Sequence, residues 1–193
     1  MKTSSHTSSS KGFTLIELLV VIAIIAVLAS AGFAGGAAIM NKARKTSAQA
    51  TAVSIAQAVD NFYTEYSALP DPASNSADKD FSTDSADLLD ILAGGITAKA
   101  VEQNPRKIRF LSVKEGKNNK DGAVYNGTAI SKIFDPWGKP YVIRLDYDYD
   151  ERLTVDPEGS APSSTLNGRR VAVHSLGVRA NETPNSSTLV KTW

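Results

Sequence analysis

The sequence contains no cysteine and only two histidines among its 193 residues. Without cysteine the chain can form neither a disulfide nor a thiolate metal site. Of the two histidines, His6 lies in a polar segment near the start, and His174 lies in an apolar run typical of a packed strand. Neither a glycine loop for phosphate nor a zinc-ligand spacing is present. We therefore expect no enzymatic activity.

Charge of one sign is also lacking, because 21 Lys and Arg residues balance 20 Asp and Glu residues to a net charge of +1. A protein that binds nucleic acid normally shows a clustered basic field, and no such cluster is visible. Nucleic-acid binding is therefore not expected. The length allows one ordinary domain and an appendage.

Charged residues are nearly absent from residues 13–40, where Glu17 is the only one. This run exceeds the roughly 20 residues that an α-helix needs to span a bilayer. Twelve polar residues precede it, and their only charges are Lys2 and Lys11. Positive charge ahead of an apolar run favours a cytoplasmic N-terminus, so we expect residues 13–40 to enter the membrane and the following residues to cross it.

Three interpretations of the apolar run compete. The first is a secretory signal peptide with Ala29-Ser30-Ala31 as the cleavage site, and the second is a plain single-pass anchor. The third is a membrane helix in which Glu17 has a functional role, which the other two leave unexplained. A carboxylate within a membrane helix costs on the order of 2.5 to 3.5 kcal/mol and usually has a partner. Cleavage after Gly12 would give Phe13 a free amine one helical turn from Glu17, and this amine could neutralise the carboxylate within one subunit or between neighbours.

The stretch K-G-F-T-L-I-E-L-L-V-V-I-A-I-I-A-V-L-A resembles the class III signal of type IV pilins and type II secretion pseudopilins. This resemblance implies that a prepilin peptidase cleaves between Gly12 and Phe13 and methylates the new amine of Phe13. It also implies that Glu17 pairs with the N-terminus of an adjacent subunit during filament assembly.

The residues after the apolar run predict that the helix continues to Tyr66 as an amphipathic helix. Apolar side chains recur every three or four positions, at Ala48, Ala52, Ile55, Val59, Phe62 and Tyr66. Such a stripe requires a partner surface, which the C-terminal half must supply. We therefore predict an α+β fold in which a long N-terminal helix packs on a C-terminal antiparallel β-sheet, as in pilins.

Local patterns predict the elements of this C-terminal half. Proline ends the long helix near Pro70, and residues 73–85 form a loop. Residues 86–92 form a short helix, which either Asp84 or Ser85 caps and Gly94-Gly95 closes. Strands are expected at residues 108–113, 141–145, 153–155 and 169–176, with a turn at 115–122. The motif D-P-W-G-K-P-Y at residues 135–141 resembles the entry to the sheet in the major pseudopilin of type II secretion.

An acidic stretch, D-Y-D-Y-D-E, follows the expected strand at residues 141–145. In an extended chain Asp146, Asp148 and Asp150 lie on one face and repel one another unless a cation or solvent screens them. Calcium prefers oxygen ligands of this type. The stretch is therefore either a calcium site or a solvated acidic strand end. The major pseudopilins resembled here use calcium to brace a C-terminal loop, but that loop does not align cleanly with residues 175–193.

Together these observations predict a leader at residues 1–12, a transmembrane half-helix at 13–40 and a periplasmic or extracellular pilin-like domain at 41–193. The protein is expected to be a structural subunit of a type II secretion pseudopilus or a type IV pilus-like filament. The alternative is a minor pilin that acts as an adhesin or binds DNA or another ligand at the filament tip. The precursor would lie in the inner membrane before assembly.

The resemblance also implies partners. They are copies of the chain itself and related pilins in a helical filament, a prepilin peptidase, an inner-membrane platform protein and an assembly ATPase.

Overall fold

The computed structural model describes residues 12–127, 129–158, 160–179 and 181–193. The chain divides into two compact units, residues 1–42 and residues 43–193. One helix, α1 (Leu15–Tyr66), supplies residues to both units. Apart from Gly12, the predicted leader lies outside the described residues.

Within its described residues, the second unit combines the C-terminal part of α1 with two short helices and eight strands. The helices are α2 (Ala86–Ala93) and α3 (Ala98–Gln103). The strands are β1 (Lys79–Ser82), β2 (Gly122–Asn126), β3 (Ala129–Phe134), β4 (Val142–Leu145), β5 (Arg152–Val155), β6 (Ser164–Asn167), β7 (Val171–Ser175) and β8 (Val190–Lys191).

The strands form one four-stranded sheet, in the order β1-β4-β7-β8, and two separate hairpins, β2-β3 and β5-β6. Each neighbouring pair is antiparallel. Among the described strands β1 lies at the edge of the sheet, and it pairs with β4 from Lys79 opposite Leu145 to Ser82 opposite Val142. This register matters below because it fixes which residues meet just beyond the end of the β1-β4 ladder.

The core of the second unit forms between α1 and the sheet. The predicted apolar stripe is confirmed: Ala48, Ala52, Ile55, Val59 and Phe62 are fully buried, and Tyr66 is partly buried against them. They share one cluster with Tyr141, which precedes β4, and with the sheet side chains Ile143, Leu145 and Val173. The apolar face of α1, which repeats with the helical period of 3.6 residues, thus packs on the apolar side chains of the sheet. The predicted α+β fold is confirmed.

Several predicted elements are confirmed to within a few residues. The long helix ends at Tyr66, where Ser67 takes a left-handed conformation with φ of 53°. Helix α2 has Ser85 at its N-cap position and Gly94 in the left-handed conformation at its C-cap. Strands β4, β5 and β7 coincide with the strands expected around residues 141–145, 153–155 and 169–176.

The strand predicted at residues 108–113 is wrong. Leu111 is buried, as the apolar pattern requires, but the backbone pairs elsewhere. The amides of Phe110 and Leu111 donate to the carbonyl of Leu92 at the end of α2, at 2.9 and 3.0 Å. The side chain of Asn104 bonds both the amide and the carbonyl of Ile108, at 3.0 and 2.8 Å. The end of a helix and a side chain therefore provide hydrogen-bond partners for backbone groups of this segment, in place of a neighbouring strand.

The predicted loop at residues 73–85 contains a strand that the sequence analysis missed, since β1 occupies Lys79–Ser82. Its four residues, K-D-F-S, include two charged ones and give a weak strand signal. Their pairing with β4 is non-local, so the sequence of the segment itself does not indicate it. The β2-β3 hairpin was likewise not predicted.

Candidate assembly motif and acidic cluster

The first turn of α1 is closed by a reciprocal cap between Thr14 and Glu17. The Thr14 hydroxyl accepts a hydrogen bond from the amide of Glu17 at 3.3 Å. The Glu17 carboxylate oxygen Oε2 in turn accepts hydrogen bonds from the amide and the hydroxyl of Thr14, at 2.9 and 2.8 Å. This arrangement is a capping box, which satisfies amide donors that have no partner inside the helix. Glu17 therefore has a local structural role that the sequence analysis did not identify, although the spacing T-x-x-E was visible.

The predicted cleavage position lies directly before this cap. Gly12 and Phe13 are outside the helix and exposed, with 76% of Phe13 accessible. A peptidase needs extended, accessible backbone at the bond that it cuts. The exposure of Gly12 and Phe13 meets the second of these requirements.

From residue 12 to residue 30, where the structure describes every side chain of the first unit, the apolar side chains are all exposed. Five consecutive residues, 18–22, are each at least 44% exposed. Because consecutive residues point 100° apart around a helix, these five cover its whole circumference. A helix that is apolar all round belongs in lipid or among other helices, since an exposed apolar surface of this extent is unfavourable in water.

Among the described residues, no helix combines the length and the mean hydropathy required to cross a bilayer.

A cluster of three carboxylates, which we call the acidic cluster, lies at one end of the sheet. It consists of Asp78, Asp146 and Asp148, whose oxygens lie within 4.8 Å of one another. Asp146 follows the last residue of β4, and Asp78 precedes the first residue of β1. One further step of the antiparallel register therefore places Asp78 opposite Asp146. Like charges facing each other in this way are destabilising.

Electrostatics in the acidic cluster are unfavourable for three charged carboxylates. Burial raises the pKa of Asp146, and the neighbouring Asp148 carboxyl raises it further. Burial and the charge of Asp148 also raise the pKa of Asp78. The nearest guanidinium, Arg144, lies 3.8 Å from Asp78 and forms a closer contact of 3.1 Å with Asp80. The guanidinium of Arg144 is thus shared between Asp78 and Asp80.

The structure brings together only part of the trio that the sequence indicated. Asp146 and Asp148 belong to the acidic cluster, whereas Asp150 does not. Asp150 instead accepts a hydrogen bond from the amide of Arg152 at 2.8 Å, which shapes the turn into β5. Asp78 takes the third position. It is distant in sequence, so only the β1-β4 register could have identified it.

The D-P-W-G turn is organised by a buried carboxylate. Asp135 is fully buried, and its Oδ1 accepts hydrogen bonds from the amides of Trp137 and Lys139 at 2.9 and 2.8 Å. The hydroxyl of Ser175 donates to the other oxygen, Oδ2, and so joins the turn to β7. Burial raises the pKa of Asp135, while these hydrogen bonds act in the opposite direction. The motif therefore has a structural role at the entry to the sheet.

His174 lies in β7 with only 2% of its surface exposed. Neither ring nitrogen has a hydrogen-bond partner among the described residues, and the ring packs edge-on against Trp193. Burial lowers the pKa of His174. These surroundings are those of a packing residue, as the sequence analysis expected.

Comparison with protein families matches residues 7–33 to the prokaryotic N-terminal methylation motif. Comparison with curated proteins and with solved structures gives no significant match. The matched residues include Gly12, Phe13, Thr14 and Glu17, so the motif contains the exposed residues of the predicted cleavage position and the capping box described above. The chain thus carries the class III signal characteristic of type IV pilins and pseudopilins, and this signal supports a pilin-like precursor that a prepilin peptidase processes.

Proposed function

We propose that the protein is a structural subunit of a helical filament, of the type II secretion pseudopilus class or a related type IV pilus-like class. The single observation that supports this proposal best is the methylation motif at the head of a helix whose residues 18–22 expose apolar side chains on every side. A soluble monomer gains nothing from such a surface. A filament subunit needs it, because the helices of neighbouring subunits cover it after assembly.

In this proposal residues 1–12 are the leader, and residues 13–40 lie in the inner membrane until assembly. Residues 41–193 then form a periplasmic or extracellular domain. Lys2 and Lys11 keep the leader in the cytoplasm. Transfer from lipid to a bundle of like helices exchanges one apolar environment for another, so the change in free energy is small and packing decides the outcome.

Glu17 has two roles in this scheme. Both of its contacts with Thr14 use Oε2, and the side chain is exposed, so Oε1 remains available to a further donor. We propose that this donor is the methylated amine of Phe13 in an adjacent subunit. A charge pair in an apolar environment is favourable only when its geometry is good, so it favours one axial register over others.

The partners follow from the same scheme. A prepilin peptidase cleaves the Gly12–Phe13 bond and methylates Phe13, and a platform protein with a cytoplasmic ATPase drives extension. The D-P-W-G-K-P-Y sequence and the buried Asp135 favour the pseudopilus over the pilus, because this turn resembles the sheet entry of the major pseudopilin.

The proposal is tested by expressing the full chain with and without a prepilin peptidase and measuring the mass of its N-terminus. We expect a chain that begins with methylated Phe13 only when the peptidase is present. With a complete assembly system, shearing should then release the protein from cells or from spheroplasts. A mature chain that begins at Ala31 or later would show ordinary signal cleavage and would contradict the proposal.

A matched pair of glycine variants sharpens this test. Gly12→Val should block cleavage and leave residues 1–12 attached. Gly36→Ala is the control: a Cβ at Gly36 meets no atom within 4 Å, so processing should be normal. Equal processing of both variants would show that Gly12 does not define the cleavage site.

A further inference from the structure

A cleft of about 580 Å³ opens beside the D-P-W-G turn. Its volume lies within the range of about 300 to 1,000 Å³ that is usual for small-molecule sites. Three short segments meet there: the turn before β2, the D-P-W-G turn before β4, and the segment that follows β7. The side chains that line the cleft are mainly polar and include Asn118, Asn119, Lys120, Trp137, Arg179 and Asn181.

The turn before β2 is closed by its own backbone. The amides of Lys117 and Lys120 each donate to the carbonyl of the other residue, at 3.2 and 3.1 Å. Between them Asn118 and Asn119 have φ of 53° and 55°, a pair of left-handed residues typical of a type I′ turn. Asparagine is among the few residues other than glycine that tolerate this conformation. The turn therefore carries two amide side chains into the cleft on a fixed backbone.

The D-P-W-G turn is held against this first turn. The amide of Asp121 donates to the carbonyl of Asp135 at 2.8 Å, and Oδ1 of Asp135 accepts from the amide of Trp137. A Cβ at Gly138 would lie 3.4 Å from the carbonyl oxygen of Asn119, so the two backbones are in close contact. Trp137 packs on the core with part of its surface and remains partly exposed beside the cleft. Its position relative to the asparagine turn is therefore fixed before any ligand binds.

The segment after β7 brings a cation that already faces a carboxylate. Nη1 of Arg179 lies 3.9 Å from Oε1 of Glu182, and the amide of Arg179 donates to Oε2 of the same carboxylate at 3.1 Å. The amide of Glu182 donates back to the carbonyl of Arg179 at 3.1 Å. Glu182 also lines the cleft, so an anionic ligand would meet a negative charge beside the guanidinium. The cleft therefore favours a neutral ligand over an anionic one.

We propose that this cleft binds a neutral saccharide. An asparagine amide offers both donors and acceptors, so the amides of Asn118, Asn119 and Asn181 match a ligand rich in hydroxyl groups, each of which also donates and accepts. A pyranose ring with equatorial hydroxyls presents a flat face of C–H groups, which packs on the large apolar surface of an indole such as that of Trp137. The inference goes beyond the filament proposal and does not depend on it, because these residues all lie in the second unit.

The proposal is tested by titrating the full chain, in a detergent without a sugar headgroup, with the neutral disaccharides cellobiose, chitobiose, maltose and lactose and with the acidic sugar sialyllactose. Calorimetry measures binding, and fluorescence locates it, because Trp137 and Trp193 are the two tryptophans of the chain. At least one neutral disaccharide should bind and shift the emission of the natural protein and of Trp193→Phe, but not that of Trp137→Phe. If no neutral disaccharide binds, the proposal is overturned. Tighter binding of sialyllactose would overturn the assignment to a neutral ligand.

Two asparagine variants separate a ligand site from a purely structural turn. Asn118→Gly removes one amide from the cleft, and glycine adopts a left-handed φ readily, so the melting temperature should stay close to that of the natural protein. Its affinity for the saccharide should fall by about three- to tenfold, the effect of one lost hydrogen bond. Asn126→Gly is the matched control, because Asn126 is exposed at the far end of β2 and outside the lining of the cleft. If both variants bind as tightly as the natural protein, the turn does not contact the ligand and the proposal fails.

Discussion

Thr14 and Glu17 cap the same end of α1, each side chain bonding the backbone amide of the other. The glutamate of the methylation motif is therefore engaged within its own subunit before any neighbour arrives. Its charge and its hydrogen-bonding capacity are separable properties, because glutamine can also occupy this position of a capping box.

We predict that Glu17→Gln retains the helix start and the processing of the chain but prevents polymerisation. The amide oxygen can still accept from Thr14, so the peptidase should still release a chain that begins at Phe13. The charge that would pair with a neighbouring amine is lost. The two measurements are the N-terminal mass and the amount of protein released by shearing.

Thr14→Val is the complementary variant, because it removes the capping hydroxyl and leaves the charge of Glu17 in place. Loss of an N-cap costs about 1 kcal/mol, so assembly should be weakened but not abolished. Normal polymerisation of Glu17→Gln would show that the carboxylate serves only as a cap.

The sequence predicted the parts of the fold that rest on local periodicity. Ala48, Ile55 and Phe62 repeat at helical spacing, so the buried stripe of α1 was readable without the structure. The burial of Leu111 was equally readable, but its backbone partner was not, because the carbonyl of Leu92 belongs to the end of another element.

The candidate sites divide in the same way. The cleavage position and Glu17 lie within one short motif, so the sequence showed them directly. The acidic cluster depends on the register that pairs Lys79 with Leu145, and this long-range pairing brings Asp78 to Asp146. Reasoning from the turn alone selected Asp150 in place of Asp78, since an extended chain puts alternate residues on one face.

We predict that Asp135→Ala destabilises the second unit by about 3 kcal/mol, because it leaves the amides of Trp137 and Lys139 and the hydroxyl of Ser175 without their acceptor. Ser175→Ala removes only one of these bonds and should cost about 1 kcal/mol. Urea unfolding followed by tryptophan fluorescence measures both. Equal costs for the two variants would contradict the role of Asp135 as the organiser of the turn.

We predict that His174 makes the protein less stable as the pH falls below about 6.5, which is the pKa of a histidine side chain in the unfolded chain. Burial lowers the pKa of His174 in the folded state, so the unfolded chain binds a proton first and acidification favours unfolding. The loss approaches about 1.4 kcal/mol per pH unit until the folded pKa is reached. It is measured as the free energy of unfolding in urea between pH 7.5 and pH 5.

His174→Phe keeps an aromatic ring beside Trp193 and cannot be protonated. The difference between its pH profile and that of the natural protein isolates His174, because the buried carboxyl groups with raised pKa values act in both. Parallel profiles between pH 7.5 and pH 5 would contradict the prediction whatever the absolute stability of the variant.

Two glycines with nearly the same backbone conformation should respond differently to alanine. Gly168 and Gly177 have φ of 67° and 64°, so a Cβ is strained at both. At Gly168 it meets no atom within 4 Å, whereas at Gly177 it would lie 2.1 Å from the carbonyl oxygen of Thr188. Gly168→Ala should lower the free energy of unfolding by about 1 kcal/mol, or the melting temperature by roughly 2 to 4 °C.

Gly177→Ala should lower the free energy of unfolding at least twice as much. The backbone at Thr188 must move to admit the Cβ, and β8 begins two residues later. Equal shifts in melting temperature would show that this backbone contact does not constrain the C-terminal segment.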